Sequence, residues 1–370
     1  MGLILGRPLV SLERRVTTIV SPVVPSTLKS VNAGLLKTDA QGVAKAYATL
    51  AGLAIGDAMG MPTQSLTRSE VEEEFEPVLA TFYAARPDHP FAAGLVAGSV
   101  TDDTEQALIL AEELLTSEGR FDPRHYARRL VEWEQSVRQR GLLDLLGPST
   151  KKALLNIESG MDPDEAGTCG TTNGAAMRVA PVGIVCSSAN VASLVDRVIE
   201  VSALTHNTPV ALSGASAIAT MISAGIDGAP LEECVGLSLE AVRLVEARSA
   251  GTSHESLSER IQRAVAIGRR WSGRELIDAV VRDVGTSLAT EESVPAAFAL
   301  LVANADDGWM ACRLAASLGG DTDTIGAMTG AMCGALRGVA AFPDWAIEKV
   351  ERVNQLDLQS VARDLARARR

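Results

Sequence analysis

Apolar residues recur at spacings of three and four along most of the chain, from about Ala44 to the neighbourhood of Asp357. This spacing places them on one face of a helix, whereas a strand would alternate apolar and polar residues. The segments with this pattern are 104–118, 123–140, 191–204, 209–224, 231–247, 257–270, 273–283 and 294–304. Because no segment is a clear strand candidate, the pattern predicts an all-α protein.

Short clusters of Gly, Pro, Asn and Ser, such as 147–149 and 227–230, separate the predicted helices. Such clusters end helices and join them in compact bundles. No internal repeat of solenoid period is visible, so we predict one compact orthogonal multi-helix bundle over residues 44–357. An N-terminal extension (1–43) would precede it and a basic helical C-terminal tail (358–370) would follow. The composition of the extension allows a transit-type leader, and a loosely ordered segment is the simpler interpretation.

Composition narrows the class of partner. The 370 residues are 46% hydrophobic, which is enough for a large core, and the formal net charge is −12. This charge argues against binding to nucleic acid or a membrane surface, so we expect a small-molecule or protein partner. No run of about 18 uncharged apolar residues stands out as a membrane span. The five cysteines have no C-x-x-C spacing, which favours a reducing cytoplasm over a disulfide framework or zinc site.

Two acidic segments are the main candidates for chemistry. Thr101, Asp102 and Asp103 precede a predicted helix, where such residues can simply cap the helix or can form an oxygen-rich site for a hard cation. Asp321 and Asp323 follow two glycines that allow a sharp turn, and Thr324 adds a hydroxyl. If the segments meet, their carboxylates repel one another without cations, and all-oxygen ligands indicate Mg²⁺ or Mn²⁺. We therefore predict a paired-cation site.

Three other features have both a structural and a functional interpretation. Glycines at every fourth position from Gly326 to Gly338 predict a helix packed closely in the core. The Gly-, Thr- and Asn-rich loop 167–178 could wrap a phosphate or form a tight turn. His206, before a helix, could cap, pack or catalyse. Asp57 lies among small residues and is either a satisfied core acid or, as we favour, a residue that supports the site.

Taken together, these motifs resemble the ADP-ribosylglycohydrolase family. The resemblance rests on GDAMG at 56–60, TDDT at 101–104, NGAAMR at 173–178, LTH at 204–206 and LGGDTDTIGAMTGAMCGA at 318–335, in the family's order and over about residues 44–351. It implies an all-α fold and a centre of two Mg²⁺ or Mn²⁺ ions. By position, the implied metal ligands are Thr101, Asp102, Asp103, Asp321, Asp323 and Thr324.

The resemblance also implies a substrate and further site residues. The expected function is hydrolysis of an N-glycosidic bond to ribose, most simply the removal of ADP-ribose from a modified protein or small molecule. Asp102, Asp103 and Asp321 are the candidate catalytic residues. The candidate substrate-binding residues are Gly170, Thr172, Asn173, Gly174, Met177, His206 and Gln64.

One position departs from the family pattern. Relatives that remove ADP-ribose usually carry a glutamate where this chain has Gln64. Glutamine is neither a general base nor a carboxylate ligand. Either another acid, such as Asp102 or Asp321, handles the attacking water, or the substrate differs. Two alternatives therefore stay open, a glycosidase acting on a nucleoside or other ribosyl metabolite and a non-catalytic ADP-ribose-binding relative.

Overall fold

The computed structural model describes residues 40–116, 121–140, 147–248 and 255–370. Most of the predicted N-terminal extension lies outside the described residues. The α-helices of the described ranges are α1 Ala40–Gly60, α2 Arg68–Glu74, α3 Asp102–Thr116, α4 Pro123–Gln139, α5 Pro148–Glu158, α6 Pro163–Ala166, α7 Gly174–Met177, α8 Ala180–Val185, α9 Val191–His206, α10 Pro209–Asp227, α11 Leu231–Ala247, α12 Leu257–Arg270, α13 Gly273–Asp283, α14 Thr290–Ala303, α15 Gly308–Ala316, α16 Thr322–Arg337, α17 Asp344–Asn354 and α18 Leu358–Ala368. Short 3-10 helices lie at Met61–Thr63, Ser188–Asn190 and Gly338–Ala341.

The predicted all-α class and multi-helix bundle are confirmed. The only extended pairing within the described ranges is an isolated antiparallel bridge between Thr172 and Ala289. Helix boundaries follow local signals in the sequence. The hydroxyl of Thr208 caps α10 by accepting from the amide of Ala211, and α10 ends at Gly228, which has a φ of 91°. The predicted helix starts therefore agree closely with the observed ones wherever such caps are present.

Helix α10 corrects one expectation. Residues 209–226 carry no charge, and the helix is long and apolar enough by length and composition to cross a membrane. However, 89% of its apolar window is buried inside the fold. The bent pair formed by α16, the following 3-10 helix and α17 passes the same test, with an angle of 118°. A helix that is buried on all sides within a protein core has this composition as well.

Helices α1 and α16 pack backbone against backbone. A Cβ atom added to Gly56 would overlap the carbonyl oxygen of Gly326, and one added to Gly52 would overlap that of Gly330. The glycine face predicted for α16 is thus the surface that contacts α1. This contact aligns the C-terminal half of α1, which carries Asp57, with the N-terminal end of α16, which carries Asp323.

The C-terminal residues predicted as a basic tail form α18, and its apolar side is buried. Arg369 donates to the carbonyl oxygens of Gly183 and Ile184 and to the carboxylate of Asp227. The backbone of Arg370 exchanges hydrogen bonds with Val185 and Ser187. These last residues are therefore held against α8 and the end of α10.

Candidate functional site

Asp57 of α1 holds the beginning of α3. Its carboxylate is fully buried and accepts hydrogen bonds from the backbone N–H groups of Thr101 (3.0 Å) and Thr104 (3.1 Å). The hydroxyls of the same two threonines also donate to it, at 2.8 and 2.5 Å. An acid from another helix thus satisfies amides at the helix start, and Asp102 and Asp103 are left available for other contacts.

The two acidic segments meet. The hydroxyl Oγ1 of Thr324, at the start of α16, lies 3.5 Å from Oδ2 of Asp103, at the start of α3. Thr101 Oγ1 lies 3.3 Å from the same carboxylate oxygen. Asp103 and Asp323 are 1% and 0% exposed, so both carboxylates sit in the interior. The two acidic segments are therefore adjacent in the fold, which the predicted paired site requires.

Two oxygens of this cluster lack a hydrogen-bond donor. Oδ1 of Asp103 and Oδ2 of Asp323 are buried without any partner. Across the described residues, no three His, Cys, Asp or Glu side chains form a ready-made group of metal ligands. The fit of a cation therefore rests on these two bare oxygens and on the threonine hydroxyls beside them, which together make an oxygen-only donor set suited to Mg²⁺ or Mn²⁺.

Burial and mutual repulsion raise the pKa values of these acids. Burial is the largest cause at Asp103, followed by the charges of Asp323 and Asp102, and the pKa lies well above its ordinary value. Burial and then the charge of Asp321 likewise raise the pKa of Asp323. The pKa of Asp57 rises to about 6 through burial, although its hydrogen bonds act to lower it. A nearby positive charge would relieve this repulsion.

Asp321 is held at the turn before α16. Gly319 and Gly320 have φ angles of 77° and 84°, which glycine adopts without strain, and the amide of Asp321 donates to the carbonyl of Thr286 (2.7 Å). The side-chain nitrogen of Asn173 donates to Asp321 Oδ2 at 2.5 Å. The structure therefore brings the predicted loop 167–178 directly to the acidic cluster.

The same loop contacts His206 at the end of α9. His206 is fully buried, and its Nε2 lies 3.0 Å from Thr172 Oγ1. Gly174 sits against the imidazole ring, where an added Cβ would come within 2.8 Å of Cε1, and an added Cβ on Gly170 would overlap the carbonyl oxygen of Thr205. Burial, and then the charge of Arg178, lower the pKa of His206 well below its ordinary value. Burial therefore favours the neutral form of the His206 imidazole.

Gln64 lies next to the turn that carries Asp321. The amide of the following residue, Ser65, donates to the carbonyl of Gly320 at 2.7 Å. The carbonyl of Gln64 accepts from Nε2 of His89 (3.1 Å), whose Nδ1 accepts from the amide of Ala92 (2.9 Å). The side-chain oxygen Oε1 of Gln64 is buried without a partner. Gln64 is therefore clamped through its backbone while its side-chain carbonyl stays unpaired.

The remaining predicted residue, Met177, ends α7 and is 6% exposed. Its amide donates to the carbonyl of Asn173 (3.0 Å).

Two site residues were not predicted. Gln106 donates to Asp102 Oδ2 (3.1 Å), and Arg178 donates to Gln106 Oε1 (2.8 Å). Arg178 had a visible signal, because it is an isolated charge in the apolar run 174–186. Gln106 had none, since a polar residue in an amphipathic helix is ordinary.

Comparisons with known proteins agree with the motifs. Residues 38–370 match the family model described as ADP-ribosylglycohydrolase. The chain is 38% identical to "Uncharacterized protein YegU" of Escherichia coli (strain K12), over 86% of this chain and 96% of that protein. It is 31% identical to ADP-ribosylarginine hydrolase Tri1 of Pseudomonas putida (strain GB-1), over 85% and 76%. A solved "ADP-ribosylglycohydrolase-related protein complex" has a TM-score of 0.64 at 27% identity, covering 89% of this chain and 99% of its own.

The chain therefore belongs to the ADP-ribosylglycohydrolase family, as the resemblance implied. Membership of this family supports a hydrolase that acts on ADP-ribose linkages.

Proposed function

We propose that this protein is a metal-dependent hydrolase that cleaves an N-glycosidic bond to ribose and removes ADP-ribose from a modified protein or small molecule. One observation carries the proposal: Asp103 Oδ1 and Asp323 Oδ2 come from distant segments, are buried, and have no hydrogen-bond donor. Leaving buried carboxylate oxygens bare is costly, and divalent cations supply the missing positive partner.

Six residues would hold two Mg²⁺ or Mn²⁺ ions. They are Thr101, Asp102, Asp103, Asp321, Asp323 and Thr324. When bound, such cations supply Lewis-acid chemistry and offset the negative charge of the cluster. Asp57 keeps Thr101 in place. The backbone N–H of Thr101 donates to both carboxylate oxygens of Asp57, and the Thr101 hydroxyl donates to one of them.

In the proposed reaction, the oxygen of a water molecule bonds to the anomeric carbon of ribose while the bond from that carbon to the acceptor nitrogen breaks. A carboxylate of the cluster accepts a proton from the water, and the departing nitrogen takes up a proton. Asp102 and Asp321 suit the first role because each is oriented by one amide donor, Gln106 and Asn173 respectively. Positive charge that develops at the anomeric carbon is stabilised by the surrounding acids.

The loop around Asn173 would hold the ADP-ribose phosphates. Its backbone is fixed on both sides, because the amide of Asn173 donates to the carbonyl of Leu288 and Thr290 donates to the carbonyl of Thr171. Thr172 and His206 line the same loop. A pre-formed loop loses little conformational freedom when substrate binds.

A panel of ADP-ribosyl-arginine and ADP-ribosyl-serine peptides and of nucleosides, each assayed with Mg²⁺, Mn²⁺ and EDTA, tests the proposal. We expect turnover of an ADP-ribosylated substrate that requires the cation and that Asp103→Asn abolishes. The control is Asp283→Asn, which removes a surface acid paired with Arg282. Equal turnover in EDTA would refute metal dependence.

A second function is favoured by one position. The family resemblance implies a glutamate at the position of Gln64, and this departure leaves a glycosidase of nucleosides or other ribosyl metabolites as the alternative. Release of free ribose from nucleosides, with no release of ADP-ribose from peptides in the same panel, would establish that alternative.

A further inference from the structure

A buried arginine lies behind the acidic cluster without touching it directly. Arg178 follows α7 and is only 2% exposed. The hydrogen bonds that the described structure gives its guanidinium all go to uncharged groups, those of Gln106, Thr150, Thr205 and His206. The charge of Arg178 also acts through space on Asp102: burial raises the pKa of that acid overall, and Arg178 helps to lower it. Burying a guanidinium is costly because it loses its hydration, so a role beyond packing is to be expected.

One chain of hydrogen bonds leads from Arg178 to Asp102. Its Nη1 donates to Oε1 of the fully buried Gln106 at 2.8 Å. A guanidinium can only donate, so the atom of Gln106 that faces it must be the amide oxygen. The amide nitrogen then faces Asp102 and donates to its Oδ2 at 3.1 Å. The arginine thus fixes which end of the glutamine reaches the acid.

A second chain leads to the loop that faces the cluster. Nη2 of Arg178 donates to Thr205 Oγ1, whose hydroxyl can then donate to His206 Nδ1 (2.8 Å). With Nδ1 as the acceptor, the proton of the neutral imidazole is on Nε2, which donates to Thr172 Oγ1 (3.0 Å). Thr172 in turn donates to Ser149 Oγ at 2.9 Å. Every donor in this chain points away from the arginine.

We propose that Arg178 is a positioning residue that orients both halves of the site at once, Asp102 through Gln106 and Thr172 through Thr205 and His206. The inference rests on the proposed function and adds a division of labour to it. The Gln106 branch affects the cation site and the chemical step. The Thr205 branch affects substrate binding by the loop.

Variants of the two branches test this division. Gln106→Met removes the donor to Asp102 at nearly constant volume, and we expect Mn²⁺ affinity, measured by calorimetry, to fall about tenfold or more with KM unchanged. Thr205→Val removes the donor to His206 and is expected to raise KM with Mn²⁺ affinity unchanged. Arg178→Met should change both. If Arg178→Met does not fold, the proposal can still be overturned by the branch variants. Unchanged Mn²⁺ affinity in Gln106→Met, or unchanged KM in Thr205→Val, would contradict it.

A double-mutant cycle provides the stricter measurement. If Arg178 acts on Asp102 through Gln106, then once one of the two residues is replaced, replacing the other should not weaken Mn²⁺ binding further. The double variant Arg178→Met/Gln106→Met should therefore bind Mn²⁺ as tightly as the weaker-binding of the two single variants. If the losses of Mn²⁺ binding free energy in the single variants instead add up in the double variant, the proposal is overturned. Equal Mn²⁺ affinity of Gln106→Met and the unmodified protein would also overturn it.

Val242→Ala controls for general loosening of the fold. Val242 is buried in α11, which contributes no residue to either branch, so this variant should lower Tm without changing Mn²⁺ affinity or KM. Failure of the unmodified protein itself to bind Mn²⁺ and to hydrolyse any substrate would refute the proposed function. Normal behaviour of the unmodified protein together with normal branch variants would refute only the inference.

Discussion

The carboxylate of Asp57 accepts hydrogen bonds from both the backbone N–H and the hydroxyl of Thr104, which lies 47 residues further along the chain. Most helices are capped by a residue that directly precedes them. Here the cap of α3 comes from α1, and the acids at the start of α3 are free to face α16. Because Asp57 caps α3, the carboxylates of Asp102 and Asp103 are not needed as caps and can contribute to the acidic cluster.

Asp57→Ala tests that role. It leaves the amides of Thr101 and Thr104 buried without acceptors, and we expect the free energy of unfolding to fall by roughly 3 kcal/mol. Urea denaturation measures the loss, and Thr104→Val, which removes only one hydroxyl donor, should cost about 1 kcal/mol. An Asp57→Ala protein as stable as the unmodified one would show that water replaces the carboxylate.

Asp103→Asn separates stability from cation binding. The substitution removes one charge from a group of mutually repelling buried carboxylates, so Tm in EDTA should be equal to or above that of the unmodified protein. Mn²⁺ should raise the Tm of the unmodified protein because it binds only the folded state. The variant lacks the Asp103 carboxylate that would bind Mn²⁺, so this increase in Tm should disappear. Thermal melts with and without Mn²⁺ measure both effects. A Mn²⁺-induced shift of unchanged size would exclude Asp103 from the cation site.

Gly56→Ala probes the contact between α1 and α16. The added methyl group would overlap the carbonyl oxygen of Gly326, and since the obstacle is backbone, the helices must separate. We expect a loss of about 3 kcal/mol or more. The matched control is Gly236→Ala in α11, where an added Cβ meets no atom within 4 Å, and which should stabilise the protein by about 0.5–1 kcal/mol. Equal effects of the two substitutions would contradict the packing described.

Arg369→Met should destabilise the protein in a pH-dependent manner. Burial acts to raise the pKa of Asp227, but hydrogen bonds and the charge of Arg369, with help from Ser188, bring it below its ordinary value. A carboxyl group with a lower pKa in the folded state stabilises the fold above its unfolded pKa of about 3.9, and this contribution is lost as the pH falls through the folded pKa.

The expected cost of Arg369→Met at pH 7 is about 2 kcal/mol, because Arg369 also binds the carbonyls of Gly183 and Ile184. The difference from the unmodified protein should shrink below about pH 4, as Asp227 becomes protonated. Urea denaturation across this pH range measures it, with Arg367→Met, at an exposed site, as the control. A cost that stays constant down to pH 2 would rule out the titration of Asp227 as its source.

Gln64→Glu tests the departure from the family pattern. Oε1 of Gln64 is buried without a partner, so a carboxylate at this position adds an unpaired negative charge. We expect a lower Tm in EDTA and a larger Mn²⁺-induced increase in Tm, because a cation offsets the added charge. Gln262→Glu on the exposed face of α12 is the matched control and should change neither value. An unchanged Mn²⁺ response would place Gln64 outside the cation site.

Local patterns predicted long helices such as α9 and α10, but they predicted neither short helices such as α2 and α6 nor the contacts between helices. The start of α10 at Thr208 and the turn at Gly319 and Gly320 follow from caps and backbone freedom, which nearby residues determine. The cap that Asp57 places on α3 joins residues far apart in sequence, so no local signal announces it. The same holds for α18, whose charged composition predicted a tail although its apolar side is buried against the bundle.

Helices α1 and α16, which carry Asp57 and Asp323, contact each other through their main chains. No side chains lie between them at Gly52, Gly56, Gly326 and Gly330. Main-chain contacts offer no rotamers through which the spacing could adjust. Substitutions in the surrounding loops can therefore change which acceptor group the site admits while the spacing between Asp57 of α1 and Asp323 of α16 stays the same. In proteins with this scaffold, changes of substrate preference are therefore expected to arise from loop residues, while the spacing of α1 and α16 stays constant.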